Sequence, residues 1–173
     1  MSTITVQKSN IVELDADAVV NAANEGLRPG GGVCGEIFRR AGYERLAAAC
    51  RAIGHCETGS AVITPGFDLR AKYVIHAVGP IYAGGRHGEA RALYGAYCRA
   101  LELAVENGCR SVAFPLISAG IFGYPTEQAW EVAIRACRDF LAGHGEYSVD
   151  IVFAVLNDRM LELGRRALDG GES

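Results

Sequence analysis

The chain has 173 residues, half of them hydrophobic and 21% charged, with 17 basic against 20 acidic side chains and a net charge of −3. That length fits one domain able to bury ~70% of its unfolded surface without covalent staples. A weakly acidic chain has no counterion-release drive toward a nucleic-acid backbone, so any phosphate it holds must be gripped mainly by backbone dipoles.

In chain order, Ile4-Thr5-Val6 alternates as a strand and Ala18-Val19-Val20 forms a short buried strand delivering Asn21. Gly35 to about Ile53 has helical periodicity, broken near Gly42. Ser60 to Thr64 and Tyr73 to Ala77 are strands, and Asp68-Leu69-Arg70 between them is too short for a crossover helix, which makes them antiparallel neighbours. Glu89 to Asn107 is an amphipathic helix with Leu93, Tyr97, Ala100, Leu101 and Ala104 inward, Gly108 closing it, and Glu89, Arg91, Glu102 and Glu106 on a solvated face. Val112-Ala113-Phe114 is the next strand. Trp130 to Leu141 repeats at helical spacing until Gly143 and Gly145, Val149 to Val155 is a last strand and Met160 to Leu168 a last helix. Residues 169–173 are expected to fray. Alternating strands and helices predict an α/β fold, a three-layer α/β/α sandwich around a mixed sheet of about six strands, as a single domain over 1–173.

Two glycine-rich loops leave strand ends. The first runs Asn21-Ala22-Ala23-Asn24, then Gly30-Gly31-Gly32-Val33-Cys34-Gly35; the second is Ser118-Ala119-Gly120-Ile121-Phe122-Gly123-Tyr124-Pro125. Such turns bring backbone amides close to a ligand and attract phosphate, so a pair of them predicts a clamp on a diphosphate. Gly30, Gly32 and Gly35 satisfy G-x-G-x-x-G, but the spacer after Asn21 and the missing acidic strand end exclude a nicotinamide-type Rossmann site. No G-x-x-x-x-G-K-[ST] is present.

Asn24 is either a turn former or a hydrogen-bonding group for a sugar hydroxyl pair, with Asn21 bracing the loop. The Phe122 ring either plugs the core or walls a ribose face. Cys34 has no sequence-near histidine and is expected to be a packing residue rather than a nucleophile. His76, in an apolar strand, is expected to be a core histidine bonded to backbone. The cysteines at 34, 50, 56, 98, 109 and 137 fit no zinc spacing and are expected to be reduced, mostly buried thiols of a cytoplasmic protein; no signal segment or membrane-spanning run is evident.

Taken in order, Asn21 to Asn24, Gly30 to Val33, Cys56-Glu57-Thr58-Gly59, His76-Ala77-Val78-Gly79-Pro80 and Ser118 to Pro125 resemble the macrodomain family, which binds ADP-ribose. The resemblance runs from about Ile4 to Leu168 and is nearest to MacroD-type and viral-type members. It implies removal of mono-ADP-ribose from acidic side chains of proteins, deacetylation of O-acetyl-ADP-ribose, or both. It also implies two other possibilities, a non-catalytic ADP-ribose reader and an ADP-ribose 1″-phosphate phosphatase. On the family's catalytic positions fall Asn24, which orients the distal ribose, Gly32, and Cys34, which replaces the aspartate of MacroD-type members. On its ligand-binding positions fall Asn10 and Ile11 at the adenine, Ala22, Ala23, Gly30, Gly31 and Val33 in the first loop, Ser118, Ala119, Gly120, Ile121 and Phe122 in the second, and Leu156 where an aromatic often borders the base. Asn10 stands in place of the usual aspartate. The resemblance implies no metal and no cofactor. Its expected partners are ADP-ribose or ADP-ribosylated protein, without nucleic acid or membrane, and it leaves oligomeric state open.

Overall fold

The computed structural model describes residues 1–170. The elements are β1 (Thr3–Lys8), a 3-10 turn (Ile11–Glu13), β2 (Ala18–Ala22), α1 (Gly32–Ala41), α2 (Tyr43–Ile53), β3 (Ala61–Pro65), β4 (Tyr73–Ala77), α3 (Glu89–Glu106), β5 (Ser111–Phe114), α4 (Thr126–Gly143), β6 (Asp150–Val155) and α5 (Asp158–Gly170). The expected break at Gly42 separates α1 from α2, and this residue's φ of 107° is one that few side chains adopt. Helix α1 begins at Gly32, earlier than the apolar periodicity indicated, because its first turn holds two glycines and only Cys34 in it is buried. At the other end α5 continues through Asp169 and Gly170, and the remainder of the expected tail, 171–173, lies outside the described residues.

The sheet order is β1-β6-β5-β2-β4-β3, parallel throughout except for β3 against β4. Alternating strand residues feed two core layers, as the two-residue strand period requires. Val20, Ile75, Val112, Phe114, Ile151 and Phe153 point to the layer under α3, α4 and α5, whereas Val19, Val74, Ala113 and Ala154 point to the layer under α1 and α2. The first layer holds the large rings. Phe114 and Phe153 stack at 5.5 Å between centroids, and Trp130 meets Phe153 edge-on at 5.3 Å. The α/β/α sandwich with a mixed six-stranded sheet is therefore the observed architecture. No described helix is long and apolar enough to cross a membrane.

Strand β2 lies mid-sheet, and the chain leaves it first toward β4 and β3, then returns on its other side through β5 and β6. Between β2 and β5 only Ala18 pairs with Val112 and Val19 with Ala113. Beyond those pairs the carboxyl ends of the strands part, and both glycine loops issue into the opening. Such a switch point is where open α/β sheets bind ligands.

Glu89 is not on a solvated helix face. It is only 3% exposed, and its carboxylate accepts from the amides of Ala83 (2.8 Å), Gly85 (3.0 Å) and His87 (2.6 Å). Helical spacing missed this, because the partners lie in the preceding loop. Those bonds hold the carboxyl well below its usual range, at about 2. A depressed folded-state pKa stabilises the fold above the unfolded value of 4.5, and the gain disappears as pH falls toward about 2. Glu89→Gln should therefore lower the melting temperature at neutral pH and converge with the wild type as the pH drops through that window. Parallel melting curves over the whole acid limb would contradict it.

Candidate functional site

The loop from Ala22 to Gly35 closes on itself through Asn24. Its Oδ1 accepts from Arg28 N and its Nδ2 donates to Arg28 O, both at 3.0 Å, while Leu27 N donates to the Asn24 carbonyl at 2.9 Å. The turn-forming role is thus real, and one Nδ2 hydrogen and one Oδ1 lone pair remain for a ligand. A second tie comes from the Cys56–Gly59 turn. Glu25 Oε2 accepts from Thr58 N at 3.2 Å and Thr58 Oγ1 at 3.0 Å, and Cys56 N donates to Glu25 O at 3.0 Å. Gly35 lets the helix start lie against the loop, since a Cβ there would meet Gly30 O at 2.6 Å.

The second loop is held from below and behind. The buried Tyr97 hydroxyl accepts from Ile117 N at 2.9 Å and contacts Pro115 O at 3.5 Å. Ser118 has φ 68°, a conformation unusual outside glycine, and it is fixed by Ser118 Oγ donating to Pro80 O at 2.8 Å and Tyr124 N donating to Ser118 O at 2.9 Å. Tyr82 N adds a bond to Phe122 O at 2.8 Å.

These ties leave two runs of amides free. Among the described residues the N–H groups of Gly30 to Cys34, including the first turn of α1, and of Ser118 to Phe122 donate to no protein acceptor. Both runs line one cavity of about 310 Å³, with Ala22, Ala23, Asn24, Gly79, Pro115, Leu116 and Ile117 completing the wall. A second cavity of about 160 Å³ adjoins it, lined by Ser9, Asn10, Ile11, Glu36, Ala154 and Leu156 and sharing Gly32, Val33 and Pro115 with the first. The two form one groove, and neither part is lined by a lysine, arginine or histidine. An anion here meets backbone dipoles and the positive end of α1.

The family profile described as Macro domain matches residues 20–133. This chain belongs to the macrodomain family. It is 48% identical over 165 residues to a macro domain-containing protein of Chlorobaculum tepidum, covering 95% of this chain and 94% of that one. It is 51% identical over 144 residues to a Salmonella typhimurium protein named O-acetyl-ADP-ribose deacetylase, covering 81% and 80% respectively. The Trypanosoma brucei macrodomain solved in complex with ADP-ribose superposes with a TM-score of 0.88 at 34% identity, covering 95% of this chain and 68% of that one.

Within this macrodomain the sequence-predicted residues mostly converge. Asn24, Gly30, Gly31, Gly32, Val33, Cys34, Ser118, Gly120, Ile121 and Phe122 line the larger cavity, and Asn10, Ile11 and Leu156 the smaller. Phe122 is half-buried, lines the cavity and belongs to neither core cluster, so it does not plug the core. Ala119 differs: it packs against the core and lines neither cavity. Gly79, Pro115, Leu116 and Ile117 were missed. Gly79 stood in the His76–Pro80 motif, but only the fold reveals that a Cβ there would meet Ser118 Oγ at 2.2 Å.

Cys34 is buried, its Sγ 3.9 Å from Arg28 O. Burial pushes its thiol up, against a smaller opposing pull from Asn21 and the Gly30 backbone, so it is protonated at neutral pH. All the cysteines are free thiols, and all but Cys98 are buried. Two expectations need correction. His76 is fully buried but bonded to side chains rather than backbone: its Nδ1 faces Asn21 Nδ2 at 3.1 Å and its Nε2 faces Thr64 Oγ1 at 3.0 Å. Burial holds its pKa down at about 4, so the neutral ring accepts from Asn21 at Nδ1 and donates to Thr64 from Nε2. Asn21 accordingly braces His76, and Asn24 closes the loop. Among the described residues no group of three or more His, Cys, Asp or Glu side chains is placed to hold a metal.

Gly79→Ala should cost about 1–3 kcal/mol of stability by overpacking, because Ile117 Cγ2 and Ser118 Oγ both lie within 2.5 Å of the added carbon. Gly120→Ala, with nothing within 4 Å, should stay within about 0.5 kcal/mol of wild type. Urea unfolding of the two variants checks the contrast; equal losses would refute the packing account.

Proposed function

We propose that this macrodomain binds ADP-ribose and hydrolyses it from its attachment, either to an acidic protein side chain or to acetate in O-acetyl-ADP-ribose. The observation that carries this reading is the pair of uncommitted amide runs, Gly30 to Cys34 and Ser118 to Phe122, lining one cation-free cavity. A diphosphate is the ligand whose charge such amides match. The likeness to the Salmonella deacetylase and to the ADP-ribose-bound trypanosomal domain supports the same ligand.

In this reading the base lies in the smaller cavity against Asn10, Ile11 and Leu156, and the diphosphate bends between the two loops. The distal ribose lies in the larger cavity between Asn24 and Phe122. The free Nδ2 hydrogen and Oδ1 lone pair of Asn24 orient the ribose hydroxyls. Water attacks the anomeric carbon, the bond to the carboxylate oxygen breaks, and the side chain leaves as carboxylate. In the acetyl case water attacks the ester carbonyl, the bond from the acyl carbon to the ribose oxygen breaks, the ribose hydroxyl leaves and acetate is released. The protonated Cys34 cannot take the proton from that water, and no carboxylate lines this cavity. The substrate's own phosphate is the base at hand, and the rate comes from placement and fixed dipoles. The same lack of a carboxylate favours, as a second reading, a reader that binds ADP-ribose without turning it over.

Incubation with mono-ADP-ribosylated protein or O-acetyl-ADP-ribose, following free ADP-ribose or acetate, separates the two. Binding by calorimetry without release of either product would establish the reader. For an enzyme, Asn24→Ala should lower turnover about 10²-fold with a smaller loss of affinity. Cys34→Ala should leave turnover within a few-fold. Its abolition would assign chemistry to the thiol and overturn the phosphate-assisted route.

A further inference from the structure

The base end of the groove carries unspent hydrogen-bonding capacity of a particular kind. Asn10 caps the Ile11–Glu13 turn: its Oδ1 accepts from Val12 N at a long 3.3 Å, and its carbonyl accepts from Glu13 N at 3.0 Å. Its Nδ2 has no acceptor among the described residues, so both amide hydrogens are open at the smaller cavity. Ser9 beside it accepts from Gln7 Nε2 at 3.1 Å, and its hydroxyl hydrogen is likewise unspent. The third polar side chain there, Glu36, is already engaged: Arg39 Nη2 reaches its two oxygens at 2.7 and 2.8 Å, and Arg40 Nη1 lies 3.6 Å away. What this end offers a base is therefore donors, together with one remaining lone pair on Asn10 Oδ1.

A 6-aminopurine presents N6–H and an N1 acceptor on its pairing edge; a 6-oxopurine presents an O6 acceptor and N1–H. A primary amide meets either pair, one N–H and one oxygen at a time. Turning the Asn10 amide between them costs only the long bond to Val12, because a terminal amide torsion is broad. A carboxylate, which only accepts, would meet N6–H or N1–H but set its lone pairs against N1 on the first edge and against O6 on the second, so the amide alone completes both. We infer that Asn10 makes the base end accept 6-oxopurines alongside 6-aminopurines, so that the ligand class is purine nucleoside diphosphates and their ribosides rather than adenine compounds alone. This rests on the smaller cavity being the base site in the function proposed above.

Calorimetry with ADP and IDP on the wild type and on Asn10→Asp tests it, with ADP-ribose as reference. Aspartate caps a helix start as well as asparagine, so the turn is retained. Wild type should bind ADP and IDP within about tenfold of each other, and Asn10→Asp, which loses one hydrogen bond on either edge, should weaken both by about tenfold. Asn10→Ser, which keeps the cap and removes the amide, should weaken both ligands alike. Rejection of IDP by more than about tenfold in the wild type, or undiminished binding of both ligands by Asn10→Asp, overturns the inference while leaving ADP-ribose binding intact. Failure of ADP-ribose itself to bind would remove the proposed function and this inference with it.

Discussion

The site depends on keeping backbone amides unpaired. A buried N–H without an acceptor is costly, and folding ordinarily eliminates it. Here two runs of unpaired N–H groups, on residues that are mostly exposed or half-buried, persist because the surrounding structure fixes the loops through other atoms. Tyr97 spends its hydroxyl on Ile117 and Pro115, Ser118 spends its own on Pro80, and Asn24 spends half its amide on Arg28. The loops are rigid without being self-satisfied, and that leaves an anion-shaped demand at the carboxyl end of the sheet.

The sheet places that demand. β2 and β5 separate after Val19 and Ala113, so their loops diverge around an opening instead of zipping together. Packing then tightens it. The close approach of Gly79 to Ser118, and of Gly35 to Gly30 O, brings each loop nearer its support than any residue with a Cβ allows. Glu89 does similar work one loop away, gathering three amides of the segment that follows Pro80, the residue to which Ser118 is tied. The charge of the chain plays little part. With no cationic side chain lining the groove, attraction is local and dipolar, and salt screens it less than it would a surface field.

Within this frame Cys34 and Asn10 are the positions where chemistry and specificity turn on single atoms. Burial keeps the Cys34 thiol protonated, so it offers the larger cavity no base. The Asn10 amide keeps its donors open at the smaller cavity.

Much of this was legible in the chain alone. Alternation and short apolar runs located the strands, and helical spacing the α-helices, because both periods are set by local backbone geometry. The two glycine loops were visible since only a few residue types tolerate such turns, and their positions after strands told which end of the sheet they occupy. What the linear chain left open were contacts between segments far apart in it. Glu89 looked solvated because its helix face is polar, yet its acceptors are filled from the preceding loop. His76 looked like a backbone-bonded core histidine, yet its partners, Asn21 and Thr64, come from two other strands of the sheet. Gly79 showed no role until Ser118 came to lie against it. Sequence determines what each segment can form; only the tertiary arrangement decides which hydrogen bonds are spent and which are left over, because that choice depends on distances between residues the chain does not order.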